Sequence, residues 1–347
     1  MRVFVAGAAG AIGVRLVPQL VARGHQVTAT TKSETKLRLL RELGAEPVMM
    51  DGLDRGSVNE AVTTARPDVI VHEMTALSGK ANMKHFDRWM AVTNQLRIHG
   101  TSHLLAAAMS AGVGKIVAQS YTGWNNGRTG NRIKTESDPL DPYPARAQVN
   151  SLRAVRYLEG ALQDAPVDAV VLRYGGFYGP GASDEFVDLA RKRKLPVVGS
   201  GAGVWSWIHL DDAAAATVAA VERGAPGVYN VVDDEPAPVY EWLPYLAEAV
   251  GGKPPRKAPG WLARLAIGQA GVRWMTTACG AANEKARREL GWRLRYPSWR
   301  AGFRHGLHAA PLDAAALAEL IGAPRAAGHR PAPRPPTLRP VERDRGR

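Results

Sequence analysis

Apolar and polar positions along the chain follow two alternating patterns. Short runs rich in β-branched and aromatic residues occur at RVFVAG (2–7), HQVTATT (25–31), EPVMM (46–50), DVIVH (68–72), KIVAQS (115–120), DAVVLRY (168–174) and GVYNVV (227–232). Helix-length segments such as ETKLRLLRELG and GTSHLLAAAMSAG lie between most of them, each closed by a glycine that is typical of a helix C-terminus. Nearly continuous apolar strands that alternate with helices predict an α/β fold, with a doubly wound parallel sheet covered on both faces.

Length and composition fit one large unit with a smaller lobe. The chain has 347 residues, 45% of them apolar, which is enough to bury a sizeable core. We expect a core over residues 1–175, a smaller C-terminal lobe over 176–308 interleaved with the last core elements, and a tail over 309–347. The sequence has no apolar run of about 18 residues and no secretory leader pattern, which predicts a soluble, cytoplasmic protein without a membrane segment.

Part of the basic charge is concentrated at the C-terminal end. The net charge is +13, but the Pro-rich stretch after Ala323 carries seven Arg against Glu342 and Asp344, which is +5 of that total. Such a stretch buries too little apolar surface to fold, so we expect a disordered basic tail, with non-specific anion contact as the alternative. The tail is the only feature that suggests polyanion binding, so a nucleic-acid partner is not expected.

Metal-binding patterns are weak. Cys279 is the only cysteine, so the chain can form neither an internal disulfide nor a Cys-based metal site. His99 and His103 lie four residues apart in a predicted helix but bring no third ligand. We therefore expect no metal site.

The first predicted strand ends in a glycine-rich turn, GAAGAIG, that leads into a helix. Gly7 allows a sharp turn, Gly10 allows a pyrophosphate to approach the backbone, and Gly13 allows the helix to pack closely on the strand. Free N–H groups at the start of the helix bind phosphates. Strand, turn, helix and second strand in this order predict a Rossmann dinucleotide-binding site. The other residues of the turn that we assign to the cofactor are Ala9, Ala11 and Ile12.

The end of the second strand bears on the choice of cofactor. NAD enzymes usually place a carboxylate there for the adenine ribose 2′-hydroxyl, whereas this chain has Thr30-Thr31-Lys32-Ser33. A lysine and a serine suit a 2′-phosphate, so NADP is preferred over NAD. The alternative is that Lys32 and Lys36 are solvated charges at the start of a helix.

The spacing GxxGxxG resembles that of the extended short-chain dehydrogenase/reductases, the NAD-dependent epimerase/dehydratase family. Further segments are similar to motifs of that family, in the same order over about residues 1 to 305: VMMDGLD (48–54), KIVAQSYTGW (115–124), LRYGGFYGPG (172–181), WSWIHLDDAAAATVAAVE (205–222), GVYNVVDDEPAPVYEWL (227–243) and NEKARRELGWRLRYPSWRAGF (283–303). The resemblance implies that Asp51, with Gly52 beside it, lies near the adenine, and that Ser120 is the serine of the active-site strand. It also implies a homodimer.

The resemblance fails at the family's acid–base pair, a tyrosine and a lysine four residues apart. Glu159 resembles the glutamate that follows the family's lysine by four residues, which puts Val155 at the lysine position and Ser151 at the tyrosine position. In the family the tyrosine acts as acid or base, and the lysine lowers its pKa. Val155 carries no charge, and Ser151 has no adjacent base and is too weak an acid, so the dyad is absent.

Three residues are candidates for catalysis by position. The hydroxyl of Ser120 is expected to hydrogen-bond a substrate oxygen. Tyr121, which follows it, and Lys134, in the loop after that strand, are the best substitutes for the missing pair. The alternative interpretations are that Tyr121 is a pocket wall and Lys134 a solvated loop charge.

Two functions from different classes follow from these observations. The first is an NAD(P)-dependent oxidoreductase, epimerase or dehydratase of atypical type, acting on an alcohol or ketone in a small-molecule substrate. The second is an NAD(P)-binding sensor or scaffold without turnover. The family favours the enzyme, and the missing dyad favours the binding protein.

Overall fold

Seven strands form one parallel sheet, and they are the seven runs that the sequence predicts. A computed structural model describes residues 1–77 and 81–308. The strands are β1 (Arg2–Ala6), β2 (Gln26–Thr31), β3 (Glu46–Met49), β4 (Val69–His72), β5 (Lys115–Tyr121), β6 (Asp168–Tyr174) and β7 (Gly227–Val231). Their order is β7-β6-β5-β4-β1-β2-β3, and every neighbouring pair is parallel. The predicted doubly wound Rossmann fold is confirmed.

Helices connect these strands and build the lobe that follows them. They are α1 (Gly13–Ala22), α2 (Leu37–Glu42), α3 (Arg55–Ala65), α4 (Phe86–Trp89), α5 (Ala91–Gln95), α6 (Thr101–Ala111), α7 (Val149–Gln163), α8 (Asp184–Arg191), α9 (Leu210–Arg223), α10 (Val239–Ala249), α11 (Gly260–Thr277), α12 (Glu284–Leu290) and α13 (Trp299–His305). A π-helical segment, Leu96–Gly100, joins α5 to α6, and 3-10 turns span Glu34–Lys36 and Arg146–Gln148.

Both faces of the sheet are covered, as the continuous apolar strands require. On one face, Leu16 of α1 and Val218 of α9 belong to the same buried cluster as Val5 of β1. On the other face, Leu104 of α6 packs in a second cluster with Ile70 of β4. Side chains along a strand alternate between the two faces, so each strand contributes to both clusters.

The C-terminal lobe has its own aromatic core. Its short strands pair as Gly176–Tyr178 with Trp207–His209, Val197–Val198 with Lys257–Ala258, Val204–Trp205 with Ala237–Pro238, and Ile133–Lys134 with Gly280–Ala281. Trp205, Trp207 and Trp242 are buried in this core. Trp261 is 72% exposed, so it belongs to the surface of the lobe.

The order of the strands places a crevice where the chain reverses its winding direction. β1 lies between β2 and β4, so the connections on its two sides leave in opposite directions at the carboxyl edge. Ligands of open α/β sheets bind at this switch point. The tail predicted over 309–347 lies outside the described residues. None of the helices in the described ranges is long and apolar enough to cross a membrane.

Candidate functional site

The glycine turn after β1 presents bare backbone to the crevice. Gly7 has a φ of 90°, and a Cβ there would lie 2.8 Å from the carbonyl group of Glu73, so only glycine fits. The Gly7 N–H donates to Oγ1 of Thr30 at 3.3 Å, which ties the turn to the end of β2. Gly10 is exposed, and Gly13 opens α1 against the backbone of the turn without room for a Cβ. A pyrophosphate can therefore approach the N–H groups closely.

A cleft of about 250 Å³ starts at this turn. Of the predicted cofactor residues it is lined by Gly7, Ala9, Gly10, Lys32, Asp51 and Gly52. The remaining predicted residues, Ala11, Ile12 and Gly13, lead from the turn into α1. A larger groove of about 700 Å³ runs along the edge strand β3 and shares none of these residues, so we assign the cofactor to the smaller cleft.

The far end of the cleft is basic on one side and acidic on the other. Lys32, Ser33 and Lys36 line it just after β2. Asp51 lines it after β3, where its Oδ1 accepts from the backbone N–H of Leu53 at 2.9 Å. This arrangement has room for an adenosine, with two cations on the side where β2 ends.

Glu73, directly after β4, is a buried carboxyl group beside the glycine turn. It is 5% exposed, and burial raises its pKa from 4.5 to about 8, opposed by a hydrogen bond from the Tyr174 hydroxyl at 3.1 Å. The Tyr174 hydroxyl also lies 2.6 Å from Oγ1 of Thr217, which donates to the carbonyl of Ala213 at 2.8 Å. Because burial outweighs the hydrogen bond from Tyr174, the neutral form of Glu73 is favoured near neutral pH.

The positions of the missing acid–base pair are both inside the protein core. Ser151 and Val155 are fully buried on α7. The Ser151 hydroxyl donates to Oδ1 of Asp87 at 2.6 Å and accepts from Nδ2 of Asn94 at 3.1 Å. The two carboxylate oxygens of Asp87 also accept the N–H groups of Asn150 and Ser151, at 2.9 and 2.8 Å, in the first turn of α7. Asp87 thus caps this helix from α4, and Ser151 is part of the cap.

Ser120, near the end of β5, is committed to a buried ion pair. It is 1% exposed, and its hydroxyl donates to Oε1 of Glu159 at 2.6 Å. The same carboxylate is held in a bidentate pair by Arg173 of β6, at 2.9 and 2.6 Å. Glu159 therefore links Ser120 of β5 to Arg173 of β6. The hydroxyl proton of Ser120 is already donated to this carboxylate.

Tyr121 ends β5 and begins an aromatic group. Its ring stacks on Trp124 with centroids 6.2 Å apart, and Trp124 meets Phe86 edge-on at 5.0 Å. Burial raises the pKa of the Tyr121 phenol, while the Arg97 guanidinium opposes the rise. A phenol with a raised pKa gives up its proton poorly near neutral pH.

Lys134 is not a solvated loop charge, so that interpretation is wrong. It lies on the short strand Ile133–Lys134 and is 3% exposed. Its Nζ donates to the carbonyl of Thr129 at 2.6 Å and lies 3.5 Å from Oδ1 of Asp138. These contacts lie within the loop after β5, and the pairing of Ile133–Lys134 with Gly280–Ala281 joins that loop to the lobe.

Two histidines lie against backbone carbonyl groups. His209 is fully buried, with Nε2 3.0 Å from the carbonyl of Gly306, and burial lowers its pKa to about 4. His103 faces the carbonyl of Gly52 at 3.2 Å. In the ranges 1–77 and 81–308, no group of three or more His, Cys, Asp or Glu side chains is arranged to hold a metal ion.

Sequence reasoning missed two parts of the site. The first is Glu73, whose burial between Gly7 and Tyr174 depends on the fold. The second part is a cleft lined by Trp124 together with Trp274, which lies far along the chain on α11. No local pattern indicates that these segments meet.

Comparison with known proteins agrees with this geometry. The model of the NAD dependent epimerase/dehydratase family matches residues 3–231. A Streptomyces protein described as 3-diazoavenalumate denitrifying reductase is 43% identical over 309 residues, which cover 87% of this chain and 99% of the relative. A 2-alkyl-3-oxoalkanoate reductase of Stenotrophomonas maltophilia is 27% identical, over 77% of this chain and 81% of the relative.

Solved structures share the fold. UDP-glucose 4-epimerase of Thermotoga maritima, solved with UDP-glucose, has a TM-score of 0.68 at 23% identity and covers 88% of this chain and 96% of its own. The human epimerase family protein SDR39U1, solved with NADPH, has a TM-score of 0.69 at 20% identity and covers 88% and 98%.

The relatives decide between the two functions left open by the sequence. They include the two reductases and a probable dTDP-glucose 4,6-dehydratase of Sinorhizobium fredii, so a catalytic oxidoreductase role with a nicotinamide cofactor is supported and the sensor or scaffold alternative is not. The chain belongs to the NAD-dependent epimerase/dehydratase family.

Proposed function

We propose that this chain is an NADPH-preferring reductase that replaces the diazo group of a small organic substrate with hydrogen. The observation that carries the proposal is the state of the two dyad positions: Ser151 donates its proton to Asp87, and Val155 is a buried aliphatic side chain. The enzyme therefore has to act on a substrate whose reduction needs no protein acid. The relative described as a diazo denitrifying reductase suggests such a substrate.

The chemistry of the substrate explains why a dyad is dispensable. A ketone that accepts hydride becomes an alkoxide, and a protein acid has to protonate it. At a diazonium carbon a C–H bond forms instead, the C–N bond breaks, and the C–N electron pair leaves with dinitrogen. Carbon is reduced and no proton is transferred. The nicotinamide cofactor supplies the hydride when bound.

The residues present fit such a cofactor. Gly7 and Gly10 carry no side chain, so the backbone of the turn is open to the pyrophosphate. Gly7 cannot be replaced, because a Cβ there would clash with the carbonyl group of Glu73. Lys32 and Ser33 at the end of β2, with Lys36 nearby, would hold a 2′-phosphate, which supports NADP over NAD. Asp51 would face the adenine from the end of β3.

The aromatic group at the end of β5 would contact the substrate. We assign Tyr121 to the wall of the substrate site, because its phenol keeps its proton and its ring stacks on Trp124. Ser120 and Lys134 would position β5 and the loop after it, through Glu159 and Asp138 respectively. Bound substrate between these rings would be shielded from water.

The test measures dinitrogen release and hydride transfer in the same reaction. The chain is mixed with NADPH and a ¹⁵N-labelled aryldiazonium salt, and ¹⁵N₂ is measured by mass spectrometry alongside NADPH oxidation. We expect one N₂ per NADPH, and deuterium from 4-deuterated NADPH on the arene carbon. The control variant Gly10→Val, with the cofactor turn blocked, gives the uncatalysed background. Reduction of aryl ketones with no N₂ release above that background would overturn the proposal.

A homodimer is proposed on separate grounds. Met109 on α6 and Tyr157 on α7 are 53% and 42% exposed, on two adjacent helices of the same sheet face. Paired helices of two copies would cover them. Light scattering on the purified chain should give twice the mass of one chain, which is 37.3 kDa. The Met109→Glu variant should have the mass of the monomer. A monomeric wild type would contradict this.

A further inference from the structure

Two arginines from distant parts of the chain meet in the cleft beside Trp124. The Arg128 guanidinium donates to the backbone carbonyl of Tyr143 at 2.8 Å, and the Arg273 guanidinium donates to the same oxygen at 3.1 Å. Arg128 follows β5, and Arg273 lies on α11. Two like charges share one neutral acceptor, so each retains N–H groups for another partner.

The cleft holds more positive charge than its own carboxylate balances. Asp141 is the one carboxylate that lines it in the described part of the chain. Asp141 accepts from Nε of Arg128 at 3.1 Å and, through its other oxygen, from the N–H of Tyr143 at 2.9 Å. Burial and the charges of Arg128 and Arg264 lower the pKa of Arg273, and the single carboxylate of Asp141, which Arg128 already engages, opposes the shift only in part. An anion placed between the two arginines would remove this repulsion.

A buried amide also faces this cleft. Gln148, in the 3-10 turn that precedes α7, lines the cleft and is 4% exposed. Within the part of the chain that the structure describes, its Nε2 has no hydrogen-bond partner. An unpaired buried donor is unfavourable, so a ligand oxygen at this point would be bound favourably. Together with the arginines, the cleft presents three sets of donors.

The walls of the same cleft are flat and aromatic. Trp124 and Trp274 both line it and are partly buried. Trp274 stacks on Trp205 at 4.4 Å with an interplanar angle of 17°, which fixes its orientation. Trp124 stacks on Tyr121 at the end of β5. The donors are therefore one aromatic ring away from the strand end where the reaction is proposed.

We propose that Arg128, Arg273 and Gln148 form a carboxylate-binding subsite, and that the substrate is a planar aromatic acid. The inference rests on the proposed function for the identity of the reacting group, but not for the binding of the acid. The carboxylate lies between the two guanidiniums and the Gln148 amide, and the conjugated part of the substrate runs past Trp124 toward Tyr121. Arg128 and Arg273 select the substrate by its charge, and they take no part in hydride transfer.

Binding of a non-reactive acid tests the subsite directly. The full chain saturated with NADP⁺ is titrated in a calorimeter with trans-cinnamate and with trans-cinnamamide, which differ in charge but not in shape. We expect cinnamate to bind at least 10-fold more tightly. Arg273→Gln should remove most of this difference, and Gln148→Leu should reduce it about 3-fold, whereas binding of the amide should not change.

A matched control separates the subsite from general charge. Arg264 is exposed on the same helix as Arg273, so Arg264→Gln should retain the preference for the acid to within 2-fold. Arg273→Lys, which keeps the charge but not the planar fork, should retain part of it. Circular dichroism checks that each variant is folded. Equal binding of acid and amide by the wild type, or an unchanged preference in folded Arg273→Gln, would overturn the subsite.

The diazo reductase function and the carboxylate subsite are contradicted by different results. A chain that releases N₂ from aryldiazonium salts but binds cinnamate and cinnamamide equally would keep the diazo reductase function and lose the carboxylate subsite. A chain that binds cinnamate through Arg273 but releases no N₂ would keep the subsite and lose the function.

Discussion

The Ser151 hydroxyl and the Asp87 carboxylate are joined by a hydrogen bond of 2.6 Å that closes the first turn of α7. Asp87 lies on α4, 64 residues earlier, and its two oxygens accept two N–H groups of the same turn. The position that the sequence assigns to a catalytic phenol thus belongs to a helix cap. The absence of a tyrosine and a lysine shows only that the dyad is missing. The bond to Asp87 shows, in addition, that the Ser151 hydroxyl has a structural role.

Replacing Ser151 with Ala should affect folding and leave turnover intact. Asp87 keeps both backbone donors, so we expect a loss of about 1 kcal/mol in the free energy of unfolding. The kcat/KM for a diazo substrate should stay within 2-fold, since among the described residues the hydroxyl is hydrogen-bonded to Asp87 and Asn94 alone. Urea unfolding and steady-state kinetics measure the two effects, with Asn150→Ala on the same turn as control. Loss of turnover in a folded Ser151→Ala would place this residue in the chemistry.

Replacing Ser120 with Ala distinguishes two roles for that hydroxyl. If it binds a developing oxyanion, as expected from its position, kcat falls by about 10-fold or more. The 2.6 Å bond to Glu159 favours the other result, a loss of about 1–2 kcal/mol in stability and a change of less than 3-fold in kcat. No oxyanion forms when N₂ leaves carbon, which agrees with that result. A 10-fold fall in kcat at unchanged stability would restore the catalytic role of Ser120.

The features that the sequence predicts correctly depend on short segments of the chain. The seven strands and the glycine turn follow from residue type and spacing over a few positions, and they are present as predicted. The residues that Ser151 and Arg273 meet could not be inferred, since Asp87 and Arg128 come from other segments that only the fold brings near. The burial of Lys134 could not be inferred for the same reason, because its short strand pairs with Gly280–Ala281, far along the chain.

Replacing Lys32 with Ala should weaken NADP binding and spare NAD. A charge-assisted hydrogen bond from Lys32 to the 2′-phosphate contributes about 1–3 kcal/mol, so the wild type should prefer NADP by that amount. The variant should lose most of this preference, and Lys36→Ala should lose a smaller part. Calorimetric titration with NADP and with NAD measures this preference. Lys194 is an exposed lysine of the lobe, and Lys194→Ala is the control. Equal affinities in the wild type would show that Lys32 and Lys36 are solvated charges.

Replacing Glu73 with Gln should change how stability depends on pH. Burial raises the pKa of Glu73 from 4.5 to about 8, so the folded protein keeps a proton that the unfolded chain releases. The folded state is then favoured at low pH, and this contribution is lost progressively as pH rises from about 4.5 to about 8. Gln has no proton to lose and can still accept from Tyr174. Glu73→Gln should therefore match the wild type near pH 4.5 and exceed its stability at pH 7 by up to about 3 kcal/mol.

The same carboxyl should make cofactor affinity depend on pH. Glu73 lines the cleft beside Gly7, so its ionisation above pH 8 puts a negative charge near the proposed pyrophosphate site. NADP affinity of the wild type should decrease from pH 7 to pH 9, while that of Glu73→Gln stays level. Urea unfolding and calorimetric titration across this range measure both effects, and Glu60→Gln, an exposed carboxyl on α3, is the control. Parallel pH profiles in the wild type and Glu73→Gln would mean that Glu73 is already ionised at neutral pH, against the rise in its pKa caused by burial.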